Sequence, residues 1–166
     1  MKKNHYCLYL LLVITISSQS QESISKNAMG LRFGNDYGLE VEITYQKMLS
    51  SKNRLEIDGG WSSDNNTEAF RLIGIYQWYW KLDKDLFWYT GGGGGLGSWK
   101  TDDNYNNGYG DDNGIFMTFN GDIGIEYHFE DVPLQLSIDG RPGFVFNNYE
   151  KKDFSFNAGL GVRYKF

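Results

Sequence analysis

From Phe154 to the C-terminal Phe166 every second residue is apolar: Phe154, Phe156, Ala158, Leu160, Val162, Tyr164 and Phe166. The residues between them are Ser155, Asn157, Gly159, Gly161, Arg163 and Lys165. Period-2 alternation makes a strand with one apolar and one polar face, and thirteen residues of it exceed the usual soluble strand of ~5–6 residues. A tilted strand of ~9–11 residues crosses a bilayer. The pattern therefore predicts the closing strand of a transmembrane β-barrel.

Composition fits that reading once the lipid face is taken as alternate residues. Mean hydropathy is -0.50 and 22% of residues are charged, yet barrels never build the ~18-residue apolar run of a spanning helix. Aromatic residues make up 17% of the chain, with 21 glycines and only 2 prolines, which suits a sheet.

The one apolar run lies at the N-terminus. Lys2 and Lys3, the apolar core Cys7 to Ile16 and Ser18-Gln19-Ser20 have the charge, length and small-residue pattern of a secretory signal peptide over residues 1–20. Residues 21–27 read as a short N-terminal segment and 28–166 as one barrel domain. Cleavage would remove the single cysteine, leaving no disulfide and no thiolate ligand. It would also remove Lys2 and Lys3, leaving 14 basic against 21 acidic residues and moving the formal charge from -5 to -7. That balance argues against nucleic acid as a partner.

Turn signals divide the remainder into eight alternating segments. They are 28–34, 39–46, 54–61, 68–81, 86–100, 115–129, 134–147 and the closing strand. An even number puts both chain ends on one side of the membrane. The connections after the second, fourth and sixth segments are compact, whereas the longest, Thr101 to Gly114, follows the fifth. Short periplasmic turns and longer outside loops are the habit of outer-membrane barrels. The fourth segment sets Ile73 and Ile75 on the polar parity, and the glycines of the fifth, Gly91 to Gly95 and Gly97, leave its faces unassigned. Trp78, Trp80, Trp88, Tyr127, Phe129, Tyr164 and Phe166 are expected at the periplasmic rim. Trp61, Trp99, Phe146 and Phe154 are expected at the outer rim, as two aromatic girdles.

Thirteen ionisable residues share the non-apolar parity: Arg32, Glu40, Glu42, Arg54, Glu56, Asp58, Arg71, Asp122, Glu126, Asp139, Arg141, Arg163 and Lys165. Slipping the register by one residue would turn them to lipid, at ~2–4 kcal/mol for each Arg or Lys near the midplane. They must face inward. Seven acids and six bases in an interior barely wide enough for side chains predict a plug of ion pairs.

Gly161-Val-Arg-Tyr-Lys-Phe166 and Leu134-Gln-Leu-Ser-Ile-Asp-Gly-Arg-Pro-Gly-Phe144, with the signal peptide, resemble the small outer-membrane β-barrels of the OmpX/OmpA-transmembrane type found in Bacteroidota. The resemblance implies residence in the outer membrane among its lipids. It also implies insertion by the barrel-assembly machinery, with Tyr164 and Phe166 as the assembly signal. In many relatives an aromatic residue precedes the Arg-Pro pair, where this chain has Gly140.

Several sharper readings stand beside these. Pro142 within a strand predicts a bulge. The glycine run lacks the Lys-Ser/Thr of a phosphate loop and reads as a smooth surface against which large neighbouring aromatics lie. Asp102, Asn104, Asn106 and Asn113 imitate a calcium loop, but glycine comes one place late and no Glu closes it. No metal, cofactor or catalytic residue is assigned. Once the signal is removed His128 is the only histidine, and it is expected in the lumen near Glu126. The expected role is structural or surface-interacting, with loop 101–114 and its Tyr105 and Tyr109 offered to an extracellular surface or protein. A lipid A-modifying enzyme using His128, a narrow pore, and a soluble lipocalin-like barrel are the alternatives.

Overall fold

The computed structural model describes residues 25–35, 39–64, 67–101, 112–147 and 153–166. The signal-peptide reading and most of the calcium-like loop, with Tyr105 and Tyr109, lie outside them. Eight antiparallel strands follow one another: β1 (Asn27–Asn35), β2 (Leu39–Met48), β3 (Asn53–Asp64), β4 (Thr67–Lys81), β5 (Leu86–Thr101), β6 (Asp112–His128), β7 (Leu134–Asn147) and β8 (Asp153–Lys165). Each pairs with its chain neighbour, and β1 pairs with β8 to close the barrel. At that seam Ala28 stands opposite Lys165 and Asn35 opposite Ala158. Asn27 N–H donates to the Phe166 carbonyl at 3.2 Å, and Phe166 N–H returns a bond to the Asn27 carbonyl at 2.9 Å. The last residue thus completes the ladder.

Alternation decides which face is which. Ile115, Phe119, Ile138, Phe154 and Leu160 point outward and are more than half exposed. Arg32, Glu42, Glu56, Asp58 and Glu126 point inward and are fully buried. A soluble barrel buries its apolar face, whereas this one presents that face to its surroundings and keeps its charges inside, the arrangement a barrel needs in lipid. Among the described residues no helix is long and apolar enough to cross a membrane, so any crossing is made by strands. β1 and β2, of 9 and 10 residues, just span the hydrocarbon. β5 and β6, of 16 and 17 residues, overshoot it. At the end of the barrel bearing connections 36–38, 65–66, 102–111 and 148–152, here termed the loop end, β6 continues past its last partner on β7, Phe116 opposite Asn147, while β4 accompanies β5 up to Thr101. The turn end carries 49–52, 82–85 and 129–133.

Five sequence expectations change in detail. Loop 101–114 contracts, because Thr101 belongs to β5 and Asp112 to Gly114 belong to β6. Asn27, assigned to the N-terminal segment, is already the first residue of β1. Trp99 has inward parity, its β4 partner being Ala69, so it lies at the outer rim but not in the lipid-facing girdle. Its indole covers Gly114, where a Cβ would sit 2.7 Å from Nε1.

The fourth change concerns Pro142. Asn120 pairs with Gly143 and Ile123 with Gly140 in one unbroken register, so no residue is inserted and the expected bulge is absent. Proline removes a ladder donor, and the pairing simply lapses opposite Gly121. A Cβ there would come within 3.3 Å of the proline ring, so glycine lets the ring lie against β6. Nearby, the Phe156 ring covers Gly140, its Cζ 2.9 Å from where a Cβ would stand. An aromatic from β8 thus occupies the place left bare by Gly140.

The fifth is β5 itself. Gly91, Gly93, Gly95 and Gly97 stand opposite Gln77, Ile75, Ile73 and Arg71 of β4, which face inward. Four successive lumen positions of β5 therefore carry no side chain. The groups lying against them are aliphatic or polar at Gly95 (Ile73) and Gly91 (Gln77), while the expected aromatics lie at two places in the run, Phe116 at Gly97 in the lumen and Phe119 at Gly94 on the outer face.

A candidate functional site inside the barrel

Arg141 projects from β7 into the centre of the lumen and meets five carboxylates from four strands. Nη1 lies 2.8 Å from Asp58 and 3.2 Å from Glu42, Nη2 lies 2.5 Å from Glu56, and Nε lies 3.6 Å from Asp122 and 3.8 Å from Asp139. Its planar fork of donors suits such multiple pairing better than a lysine ammonium would.

The other cations brace this hub. Arg32 donates to Glu42 at 2.9 Å, to Asp139 through Nε at 2.8 Å and to Asn157 at 2.8 Å. Arg71 joins Glu40 at 2.6 Å and Glu42 at 3.1 Å. Arg163 donates to Ser137, Thr44 and Glu56 at 2.7, 3.1 and 3.2 Å. Toward the turn end, Arg54 Nη1 reaches both oxygens of Glu126, at 2.8 and 3.0 Å. The same guanidinium stacks near the rings of Tyr79 and Tyr89, 4.9 and 4.5 Å from their centroids. Lys165 sits half-buried at the mouth and donates to the Phe129 carbonyl at 3.4 Å.

Twelve of the thirteen residues read from the sequence thus share the ion-paired lumen, and Lys165 caps it. Sequence reasoning did not single out the neutral connectors. Gln46 and Gln77 donate to Glu56 and Asp122; Gln135 donates to Gln46 at 2.6 Å; Asn157 donates to Glu40 at 3.2 Å. Their signal was available, since each has the inward parity of the charges around it. A buried ion without such partners costs several kcal/mol, and these amides supply the hydrogen bonds that arginines alone leave unmade.

His128 Nε2 lies 2.5 Å from Glu126 Oε1 and 3.3 Å from the Tyr79 hydroxyl, with its ring against Phe87. Glu126 is therefore shared between Arg54 and His128, and the histidine is held as part of the plug near the turn end. Among the described residues no cluster of three or more His, Cys, Asp or Glu is arranged to hold a metal. The acids are spread around arginines rather than around a common vacant centre. Asn113, the fourth ligand of the calcium-like pattern, lies in β6.

With this geometry in hand, comparison with known proteins separates fold from family. No protein-family model matches the chain, and no curated protein matches its sequence. Solved structures do match it. The N-terminal β-barrel domain of Pseudomonas aeruginosa OprF is 13% identical, with a TM-score of 0.65 over 84% of this chain and 96% of that one. Neisserial surface protein A is 14% identical, with a TM-score of 0.63 over 84% and 94%. A de novo designed transmembrane β-barrel is 15% identical, with a TM-score of 0.52 over 89% and 100%. At such identities the likeness is one of fold.

Proposed function

We propose that this eight-stranded antiparallel transmembrane β-barrel resides in the outer membrane, of the OmpX/OmpA-transmembrane type, and serves the cell envelope as a structural and surface-interacting protein. The observation that carries the reading is the Arg141 cluster. Its guanidinium and five carboxylates lie within ion-pairing distance in mid-lumen, where an eight-stranded barrel has little room beyond its side chains. An ion would have to part these pairs to pass. Planar-bilayer recording of the refolded protein tests this: a silent membrane is the expected result, and steady unitary currents would restore the narrow-pore reading.

The short turns 49–52, 82–85 and 129–133 suit the periplasm, and the overshooting β5–β6 hairpin suits the cell surface. The outward, about half-exposed positions of Tyr164 and Phe166 at the closing seam support reading them as an assembly signal. The engagement of His128 with Glu126 and Tyr79 favours a structural histidine over a catalytic one. Lipid A profiles of cells with and without the protein are expected to be identical. Exchange of loop 102–111 in a cell-adhesion assay tests the surface role.

A further inference from the structure

The turn end is divided by charge. The acids of its three turns, Asp83, Asp85, Glu130 and Asp131, all lie on 82–85 and 129–133, where Glu130 already engages Lys84. On the β1–β3 side, residues 25–29 and 45–55 contain no Asp or Glu and carry Lys26, Lys47 and Lys52, all three exposed. The terminal carboxylate of Phe166, whose oxygen accepts the Asn27 N–H at 3.2 Å, offsets one of these charges. The face stays basic.

Backbone pairing gathers the three lysines. Lys47 stands on the outer face between Asn27 of β1 and Leu55 of β3. The Lys26 carbonyl accepts the Met48 N–H at 2.7 Å, and the Leu49 N–H donates to the Asn53 carbonyl at 2.9 Å, so the tight turn returns Lys52 to the same rim. With strands ~4.8 Å apart, ammoniums on flexible four-carbon stems reach a common phosphate.

Their depth follows from strand length. β1 and β2, of 9 and 10 residues, only just span the hydrocarbon, so their ends lie among headgroups. Next on the outer face toward the middle of the barrel come Met29, Tyr45 and Ile57, and then Leu31, Ile43 and Gly59. Met29, Leu31, Ile43 and Ile57 are exposed, while the Tyr45 hydroxyl turns back to donate to Asn27 Oδ1 at 2.9 Å. Cationic rim and apolar wall are thus continuous.

We infer that this face holds an anionic glycerophospholipid, its phosphate among Lys26, Lys47 and Lys52 and its acyl chains along Met29, Leu31, Ile43 and Ile57. The inference rests on the membrane reading given above. A zwitterionic headgroup would bring its own ammonium to a face with no acidic side chain to receive it. Free phosphate would leave the apolar rows unused.

Native mass spectrometry of residues 21–166, released from vesicles of equimolar phosphatidylglycerol and phosphatidylcholine, tests it. A phosphatidylglycerol adduct roughly five-fold more abundant than the phosphatidylcholine adduct is expected, because clustered basic side chains at a membrane surface attract anionic lipid. Exchanging all three lysines, as Lys26→Gln, Lys47→Gln and Lys52→Gln, should bring the two adducts to parity; the side chains are exposed, so the barrel should persist, which its heat-dependent electrophoretic mobility checks. Lys84→Gln, whose lysine already has Glu130, should leave the excess in place. Equal retention of the two lipids by the unaltered chain, an excess that survives the triple exchange, or an equal loss in Lys84→Gln would overturn the inference. A chain that does not float with vesicles would instead sink the membrane reading, and this inference with it.

Discussion

Along β7, β8 and β1 the lumen positions carry Asp139, Arg141, Asn157, Arg163 and Arg32, whereas β5 presents Gly91, Gly93, Gly95 and Gly97 to the same lumen. Both regions face a shortage of space, because eight strands enclose barely enough volume for their own side chains. On the charged side glycines are interspersed among the arginines and their partners. The Arg32 guanidinium carbon lies 2.5 Å from where a Cβ of Gly159 would be, and Arg163 Nη1 lies 2.6 Å from that of Gly161. On the β5 side the glycines are uninterrupted, and Ile73, Gln77 and Phe116 lie against them. Glycine is therefore the seat for a neighbour's large side chain in both regions, and what differs is the consequence of disturbing the occupant. A displaced isoleucine or phenylalanine loses contacts, whereas a displaced arginine leaves buried carboxylates uncompensated.

The largest effect expected from that difference is at Arg141. Replacing it with Met leaves five carboxylates without their shared cation and should cost at least ~3–5 kcal/mol, the range for one broken buried pair. In urea titrations of the refolded barrel the variant should unfold far earlier or fail to fold. A loss under ~1 kcal/mol would mean that the acids do not depend on the hub.

The same substitution made on each side gives the sharpest contrast. Gly159→Ala pushes into the Arg32 guanidinium and disturbs its bonds to Glu42, Asp139 and Asn157. A cost of ~2–3 kcal/mol is expected, combining overpacking with lost charged hydrogen bonds. Gly97→Ala meets the Phe116 ring first, whose nearest atom is 2.2 Å from the new Cβ. About 1 kcal/mol is expected, and it should vanish in a Phe116→Ala background, as a double-mutant cycle would read. Equal costs at the two sites, or a Gly97→Ala penalty that survives removal of the ring, would erase the distinction.

The smallest effect belongs to an ion pair outside the lumen. Lys84 and Glu130 join two neighbouring turns, and both are well exposed. The hydrogen bond and the charge of Glu130 raise the Lys84 ammonium above its ordinary 10.5. A raised lysine favours the folded state below its ordinary value and loses that contribution as pH rises through the folded one. No pH dependence from this pair is expected between pH 6 and pH 9. Exposed pairs contribute little, so Lys84→Ala should leave the unfolding midpoint unmoved while Arg141→Met shifts it strongly.

The strands were legible in the sequence because alternation is a local property. Each of the thirteen ionisable residues could be turned inward from its nearest apolar neighbours alone. β5 was not legible, since glycine declares no face and only pairing with Gln77, Ile75, Ile73 and Arg71 assigns one. By residue type Trp99 suits an interfacial girdle, and its inward parity is readable only from the pairing of β5 with Ala69 of β4. At Pro142 the lost donor was legible, but its accommodation depends on Gly121 of the strand beside it.

By itself the sequence determined the number of strands, their order, and the side on which charge must lie, because lipid penalises each misdirected arginine regardless of what it would have met inside. Only the closed tertiary structure decided who meets whom. Arg32 and Asp139 are 107 residues apart, Arg163 and Glu56 likewise 107, and Arg54 and Glu126 72. They come together because closure and stagger of the strands set the level at which each inward side chain enters the lumen, and that level is a property of the whole ring, not of any one strand.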